Sequence, residues 1–184
     1  MKLAQEDVCP PVRVRFGTTR GTNALLTRTG ARTALITTKG FADVPLIGNQ
    51  DRPALFALNI VKPLPLFSKV FEVDERIAAD GKVLRPLKSD HELQQQLRPL
   101  ILRDEFDSVA ICLMNAYQND SHERQLEAIL RQLGFDEVSR SSEVSSMIRF
   151  VPRCDTTVLD AYLNPILREY LDGIRSCLPG SDVQ

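Results

Sequence analysis

VRVRFGTTRGTNALLTRTGARTALITTKGFADVPLIGNQDRPALF, the stretch from Val12 to Phe56, decides the fold of this chain. Apolar side chains alternate with arginine over residues 12–16, and a period of two predicts a strand. The strand stops at Gly17-Thr18-Thr19, a turn of small residues in which two carry hydroxyl groups. The stretch therefore begins with a strand that leads directly into a polar turn.

A helix and a second strand are predicted after this turn. The helix is expected from about Thr22 to Arg28, and Gly30 stands where a helix end favours a left-handed residue. Residues 32–37, which contain Ala34-Leu35-Ile36, predict the second strand. A strand, a helix and a strand in succession predict a βαβ unit, which places both strands in one parallel sheet.

The turn before the helix can act in two ways. The first N–H groups of a helix have no partners within the helix, and together with the helix dipole they form a site for anions. Thr18, Thr19 and Thr22 add hydroxyl groups, and Asn23 adds an amide. The same threonines are common helix caps, in which case their hydroxyls bond the nearby main chain. From the residues alone, capping is the more frequent role, and both alternatives stay open.

A polar loop follows at residues 48–53, Gly-Asn-Gln-Asp-Arg-Pro. Such a loop is either solvated or faces a polar ligand, and the pattern by itself favours solvation. If the loop faces a ligand, Asn49, Gln50 and Arg52 are the candidate contacts. Arg52 stands out among them because a guanidinium binds a carboxylate through two parallel hydrogen bonds.

A strand and a hairpin are predicted between residues 71 and 84. Apolar and polar residues alternate over 71–77, which predicts a half-buried strand, and Asp80-Gly81 is a strong hairpin signal. Asp74, Glu75 and Asp80 form an acidic group that could supply a general base or metal ligands. The more frequent arrangement is a solvated outer face, on which Glu72, Asp74 and Arg76 at alternating strand positions form cross-strand ion pairs.

The second half of the chain predicts two capped helices, a buried strand and a long helix. Ser89–Glu92 and Asp120–Glu123 both have the spacing of a capping box. A continuous apolar run within 107–114 predicts a central strand that is buried on both faces. Amide side chains follow this run, at the sheet edge where ligands collect in open α/β folds, and the alternative is that this loop only turns the chain. The long helix is expected from about Asp155 to Cys177.

Composition argues against several classes of protein. The 184 residues include 23 basic and 24 acidic side chains, which give a net charge of −1, whereas nucleic-acid surfaces need concentrated positive charge. No apolar run approaches the ~20 residues of a membrane span. Four scattered cysteines fit a reducing compartment, so we expect a cytoplasmic protein. The two histidines lie at predicted helix starts, and we expect neither a metal site nor histidine-based catalysis.

Several blocks of the sequence resemble the hydantoinase A / 5-oxoprolinase family. In chain order they are GTTRGTNALLTRTGARTALITTKGFADV, IGNQDRPALFAL, FEVDERIAADGKVL, Ser142-Glu143-Val144 and residues 155–163. The resemblance extends from about Val12 to Tyr170, and the second block is closer to the 5-oxoprolinase branch.

The resemblance implies a fold and an activity. The fold is an α/β lobe of three layers, with a mixed, mostly parallel sheet and flanking helices, related to the actin/sugar-kinase (ASKHA) ATPases. The activity is ATP-driven opening of a five-membered cyclic amide, 5-oxoproline or a hydantoin, with ATP and Mg²⁺ as cofactors of the intact enzyme. No catalytic residue is singled out. The candidate residues for binding the nucleotide or the substrate are Gly17, Thr18, Thr19, Thr22, Asn23, Asn49, Gln50 and Arg52.

The resemblance also predicts that the chain is a piece of such an enzyme. Family members begin with a block resembling D-x-G-G-T-F-T-D, which this sequence lacks before Val12, and they continue into a second ATPase lobe. We therefore expect a flexible lead-in at 1–11, a partial domain at 12–178 and a disordered tail at 179–184. The expected partners are the remaining ATPase lobe, a hydantoinase B-like half, a small cyclic amide and, as an option, a second copy of the chain.

Three functions stay open at this point. The first is a part of an ATP-dependent cyclic amide hydrolase, which would be inactive as an isolated chain. The second is a non-catalytic assembly lobe that pairs with a hydantoinase B-like subunit or domain. The third is a regulatory protein of the same fold that binds its ligand without turnover.

Overall fold

The computed structural model describes residues 11–49, 56, 62–98 and 106–183. The chain divides into two compact units. One unit is continuous and comprises Ala31–Tyr162, and the other combines the two ends of the chain, Met1–Gly30 and Leu163–Gln184. We call them the central unit and the terminal unit.

Strands and helices alternate along the described ranges. The strands are β1 (Arg13–Val14), β2 (Thr33–Thr38), β3 (Phe67–Val73), β4 (Arg76–Ile77), β5 (Val83–Arg85), β6 (Ser108–Cys112), β7 (Val138–Arg140) and β8 (Asp182–Val183). The helices are α1 (Arg20–Thr27), α2 (Val44–Ile47), α3 (Asp90–Leu97), α4 (Ser121–Gln132), α5 (Ser141–Val144) and α6 (Phe150–Cys177).

The central unit is built on a four-stranded sheet in the order β3-β2-β6-β7. All three strand pairs are parallel. Every residue of β2 and of β6 is buried, as expected for central strands that are covered on both faces. A short antiparallel pair, β4 and β5, accompanies this sheet.

Helices cover the sheet on both faces, because successive side chains of a strand point to opposite sides. Ala34 and Ile36 belong to an apolar cluster with side chains of α3 and α4. Leu35, between them, belongs to a second cluster with Cys154 and Val158 of α6. The predicted α/β class, with a mostly parallel sheet between layers of helices, is confirmed.

The predicted βαβ unit at the start of the chain is wrong. β1 pairs in parallel with β8 and not with β2, while β3 and β6 occupy the two edges of β2. No edge of β2 is therefore left for β1, which has only two paired residues. The helix also ends before Gly30, and Arg28 instead adopts the left-handed conformation with a φ of 57°.

The predicted hairpin forms, but the strand that leads into it is interrupted. β3 ends at Val73 and β4 begins at Arg76, so the stretch predicted as one strand at 71–77 belongs to two. β4 and β5 then pair on either side of a turn that contains Gly81, whose φ is +85°. A positive φ of this kind suits glycine, which has no Cβ.

The two predicted capping boxes have different outcomes. At the start of α3, the Ser89 and Glu92 side chains each reach the backbone of the other, as a capping box requires. At the start of α4 the box is wrong, because no side-chain cap is made by Asp120. Asp120 instead accepts a hydrogen bond from Arg124 Nε at 2.6 Å, and Glu123 is buried in a network described below.

The terminal unit contains β1, α1, β8 and the last part of α6. The side chain of Arg13 donates to Asp182 at 3.0 Å, and these residues are also paired across β1 and β8. Asp182 and Val183 are thus held in a strand within the segment where a disordered tail is predicted. Gly21 of α1 faces Leu163 and Leu167, which would lie 3.7–3.9 Å from a Cβ at that position.

Candidate functional site

The threonine turn at the start of α1 is exposed. Gly17, Thr18 and Thr19 all lie on the surface. Thr18 Oγ1 accepts a hydrogen bond from the backbone N–H of Arg20 at 3.1 Å, whereas Thr19 is the N-cap residue but makes no side-chain cap. One hydroxyl is therefore bonded to main chain, as the capping alternative requires. The turn as a whole remains open to solvent.

The next two candidates extend the same surface into the first turns of α1. The side chains of Thr22 and Asn23 are exposed. The backbone N–H of Asn23 already donates to the Thr19 carbonyl at 2.8 Å, so only N–H groups nearer the helix start are open to an anion. The turn and α1 thus offer hydroxyl and amide groups on one exposed stretch of the terminal unit.

Of the three candidates in the polar loop, the structure describes one. Asn49 is exposed and follows α2 after Gly48, whose φ is 59°. It belongs to the central unit, whereas the threonine turn belongs to the terminal unit. Gln50 and Arg52 lie outside the described residues.

A groove of about 540 Å³ lies within the terminal unit. The guanidinium of Arg20 stacks over the Tyr170 ring, 4.7 Å from its centroid, at one part of the lining. Phe16 packs edge-on against the same ring at 6.0 Å. The remaining lining residues are Glu169, Gly173, Ile174, Cys177 and Leu178. This surface is largely apolar with one cation at its margin.

A buried polar network lies at the carboxyl ends of the central strands. Glu75 is 2% exposed and accepts a hydrogen bond from the hydroxyl of Thr38, the last residue of β2. The other carboxylate oxygen of Glu75, Oε2, lies 2.7 Å from His122 Nδ1. His122 is 5% exposed and sits in the first turn of α4. Three segments distant in sequence thus converge on one carboxylate.

A second buried network lies beside the carboxyl end of β6. Glu123 is fully buried and accepts from the Leu113 N–H at 3.0 Å, the Ser142 N–H at 2.8 Å and the Ser141 hydroxyl at 2.6 Å. Arg153, also fully buried, donates to the Ser141 hydroxyl oxygen at 3.1 Å and to the Leu113 carbonyl at 2.7 Å. A negative and a positive side chain are thereby joined through one serine.

The predicted acidic group is separated by its partners. Asp74 accepts from Arg85 of β5 at 2.6 Å, and this hydrogen bond is the main reason that the pKa of Asp74 lies below its usual range. Asp80 pairs with Lys82 at 3.2 Å, and Glu75 points into the buried network. Asp74 is therefore ion-paired as the favoured alternative expects, although it lies between β3 and β4 and not within a strand. Within the part of the chain that the structure describes, no three metal-ligating side chains lie together.

The amides that follow β6 hold the hairpin. Asn115, with a φ of 59°, donates from its side chain to the Ile77 carbonyl at 2.8 Å. Asn119 donates in the same way to the Gly81 carbonyl at 2.8 Å. Of the two roles open to these amides, ligand binding and turning the chain, their contacts serve the second.

His122 is a candidate functional residue that the sequence patterns do not reveal. It lies in a helix-start pattern, which is where α4 in fact begins. Its partner Glu75 lies 47 residues earlier in the chain. The available signals were an acidic residue within a predicted strand and a histidine after a predicted buried strand, and neither indicates their pairing.

Comparison with known proteins places the chain in a family. Residues 2–134 match the family model described as "Hydantoinase/oxoprolinase N-terminal region". The chain therefore belongs to the hydantoinase/oxoprolinase family and represents its N-terminal region, as the sequence blocks predicted.

Individual relatives agree with this assignment. The 5-oxoprolinase of Saccharomyces cerevisiae is 38% identical over an alignment length of 190 residues, and the match covers 90% of this chain and 15% of the relative. The 5-oxoprolinase 1 of Arabidopsis thaliana is 41% identical over an alignment length of 180 residues, and the match covers 89% of this chain and 14% of the relative. The chain thus spans about one seventh of the length of these relatives.

A solved structure supports the fold. The ATP-dependent caprolactamase from Pseudomonas jessenii is similar with a TM-score of 0.72 and 29% identity. The match covers 90% of this chain and 25% of that protein. Among the helices of the described ranges, none combines the length and apolar character needed to cross a membrane.

Proposed function

We propose that the chain is part of an ATP-dependent cyclic amide hydrolase that opens 5-oxoproline or a hydantoin ring. The observation that carries this proposal is the similarity of about 90% of the chain to proteins named 5-oxoprolinase. The solved relative named ATP-dependent caprolactamase supports the same reaction class, since a lactam is a cyclic amide. Because the chain spans a small part of these relatives, the activity belongs to a larger protein.

In this scheme the ring amide oxygen would take the γ-phosphoryl group of ATP, with ADP as the leaving group, which would make the ring carbon easier to attack. The residues of this chain would bind and orient the reacting groups. Phosphoryl transfer depends on positioned donors that stabilise negative charge. Thr18, Thr19 and Thr22, with the backbone N–H groups at the start of α1, are exposed donors of the required kind. Gly17 and Asn23 would line the same surface.

Mg²⁺ would accompany the nucleotide. It prefers oxygen ligands and commonly keeps several waters while binding substrate phosphates through one or two carboxylates. The described residues contain no preformed group of metal-ligating side chains, which fits an ion that enters with the phosphates. Asn49, Gln50 and Arg52 would orient the cyclic amide. The other proposed partners are the second ATPase lobe and a hydantoinase B-like half, in the cytoplasm.

A chimeric enzyme tests the proposal. This chain would replace the corresponding segment of the Saccharomyces cerevisiae 5-oxoprolinase, and ring opening of 5-oxoproline and of hydantoin would be measured with and without ATP. We expect ATP-dependent opening of at least one ring. A folded chimera, with the melting temperature of the parent, that opens neither ring and hydrolyses no ATP would overturn the proposal.

The assembly lobe is the second candidate function. Leu26 of α1 is 77% exposed and Ile148, just before α6, is 70% exposed. Single exposed apolar side chains are common on protein surfaces, so a binding experiment has to decide whether they contact a partner. A pull-down with a hydantoinase B-like protein separates the alternatives. Binding without any contribution of the chain to turnover in the chimera would favour the assembly role.

A further inference from the structure

We propose that Glu75 fixes His122 as the tautomer with its proton on Nδ1, so that an unprotonated Nε2 accepts a proton or a hydrogen bond from a small ligand. The ligand would carry an N–H or O–H group and bind at the carboxyl edge of the central sheet. His122 would be the contact residue and Glu75 its positioning residue.

The hydrogen bonds around Glu75 have defined directions. The backbone N–H of Met114 donates to Thr38 Oγ1 at 2.9 Å. The Thr38 hydroxyl in turn donates its proton to Glu75 Oε1. An ionised carboxylate only accepts hydrogen bonds. The contact of 2.7 Å between Glu75 Oε2 and His122 Nδ1 then requires a proton on Nδ1.

The second nitrogen of His122 is open. Nε2 has no hydrogen-bond partner among the described residues, because the single hydrogen bond of this ring is made by Nδ1. Nε2 also keeps some contact with solvent, because it is not one of the fully buried side-chain N or O atoms that lack a partner in those residues. The ring is 93% buried, with 7% of the side chain exposed. An otherwise buried imidazole thus keeps one nitrogen within reach of solvent.

The position of the pair fits a ligand contact. Thr38 ends β2, and His122 lies in the first turn of α4, the helix that follows β6. Ligands of open α/β sheets bind at the carboxyl ends of the strands. A carboxylate that holds one ring nitrogen and so determines the chemistry of the other is a recurrent arrangement in catalytic and ligand-binding histidines. The same contacts would also serve to fasten three segments together, and only the state of Nε2 distinguishes the two roles.

The tautomer can be measured directly in the 184-residue chain. His91 is exposed and is the second of two histidines, so His91→Gln leaves every imidazole signal to His122. Long-range ¹H–¹⁵N spectra at about pH 8, above the ordinary titration range of histidine, report which nitrogen carries the proton. We expect protonated Nδ1 and unprotonated Nε2. A proton on Nε2 would overturn the proposal without the need for any further variant.

Glu75→Gln separates positioning from mere packing. The glutamine oxygen would accept the Thr38 proton, which leaves the amide N–H group to donate to His122 Nδ1. The proton should then move to Nε2, which shifts the tautomer ratio by about tenfold or more. A proton kept on Nδ1 would face the amide N–H group and leave a buried donor without an acceptor. Thr38→Ser keeps both hydrogen bonds and should leave the tautomer unchanged. An unchanged ratio in a folded Glu75→Gln chain would contradict the positioning role.

Access to Nε2 is tested with diethyl pyrocarbonate, an electrophile that modifies unprotonated imidazole nitrogen. We expect modification of His122 in the folded chain, more slowly than of His91, and at least about tenfold slower still in Glu75→Gln because its reactive nitrogen is protonated. Protection of His122 until the chain unfolds would show that Nε2 is closed to ligands. That result would overturn the proposal and would leave the proposed ring-opening function untouched, since that function rests on other residues.

Discussion

At the scale of single residues, Glu123 is the side chain whose loss should cost most in the buried networks. Its carboxylate accepts three hydrogen bonds, from two backbone N–H groups and the Ser141 hydroxyl. Glu123→Ala leaves these donors without an acceptor, which should lower the free energy of unfolding by about 3 kcal/mol or more. Urea unfolding measures this change. Glu143→Ala, which removes an exposed ion pair with Arg140, should cost less than about 1 kcal/mol; equal losses would contradict the account.

Asp107 gives the residue-scale prediction for pH. It accepts from the Arg32 side chain at 2.7 and 3.1 Å and from its backbone N–H at 2.9 Å. These bonds outweigh burial and hold the pKa of Asp107 below its usual range. A carboxyl whose pKa is lower in the folded chain than in the unfolded chain stabilises the fold at pH values above its unfolded pKa, which is about 4. This contribution is lost as the pH falls through the folded value.

Comparison with Asp107→Asn tests this sign. The stability gap between the parent chain and the variant should be constant above about pH 5 and should shrink between about pH 4 and pH 2. Urea unfolding at a series of pH values measures it. A gap that stays constant down to the lowest pH, or that widens on acidification, would contradict the assigned shift.

At the scale of elements, two glycines should respond in opposite directions. A Cβ at Gly81 would lie 3.2 Å from Gln118 Cγ, and the φ of +85° disfavours any other residue. Gly81→Ala should therefore destabilise the chain by about 1 kcal/mol or more. Gly173 lies within α6, and apart from the adjacent helix backbone no atom of the described residues lies within 4 Å of its Cβ position. Gly173→Ala should stabilise the chain by about 0.5–1 kcal/mol. Thermal unfolding measures both, and changes of the same sign would contradict the assignment.

The elements also show what sequence patterns could predict. Apolar periodicity located β2, β6 and α4, because their side chains pack in one buried core. Local patterns could not predict the strand that pairs with β1. That pairing depends on β3 and β6, which fill both edges of β2, and on β8, which lies 169 residues away in the chain. The box at Asp120 failed for a related reason: Glu123 finds better donors in a distant segment than at its own helix start.

The candidate functional residues could be predicted from the sequence only in part. The block GTTRGTN drew attention to a turn that lies on the surface in the structure, and its role in binding stays a prediction. The pairing of Glu75 with His122 could not be anticipated, because it arises from three segments that meet only in the fold. Patterns within a short window report on helix and strand chemistry, whereas buried polar pairs depend on topology.

At the scale of the whole molecule, the chain spans about one seventh of its 5-oxoprolinase relatives. We therefore expect the isolated 184 residues to hydrolyse no ATP and to bind it weakly or not at all. Phosphoryl transfer needs donors and metal ligands placed together around the nucleotide, and we expect the remaining ATPase lobe to supply part of them. Isothermal titration with ATP and Mg²⁺ measures the affinity; micromolar binding would contradict this expectation.

We propose that the exposed threonine turn serves the reaction and not the fold. In the chimeric enzyme, Thr18→Val together with Thr19→Val removes two hydroxyls, of which one makes a single exposed hydrogen bond. Thr27→Val, at the other end of α1, is the matched control, since the Thr27 hydroxyl bonds the Asn23 carbonyl at 2.8 Å.

The most direct measurement is the turnover of these two chimeras beside their melting temperatures. We expect the double variant to lose about 100-fold or more in turnover, while its melting temperature stays close to that of the Thr27→Val control. Normal turnover with a clear loss of melting temperature in the double variant would contradict this proposal and would assign the threonines to helix capping.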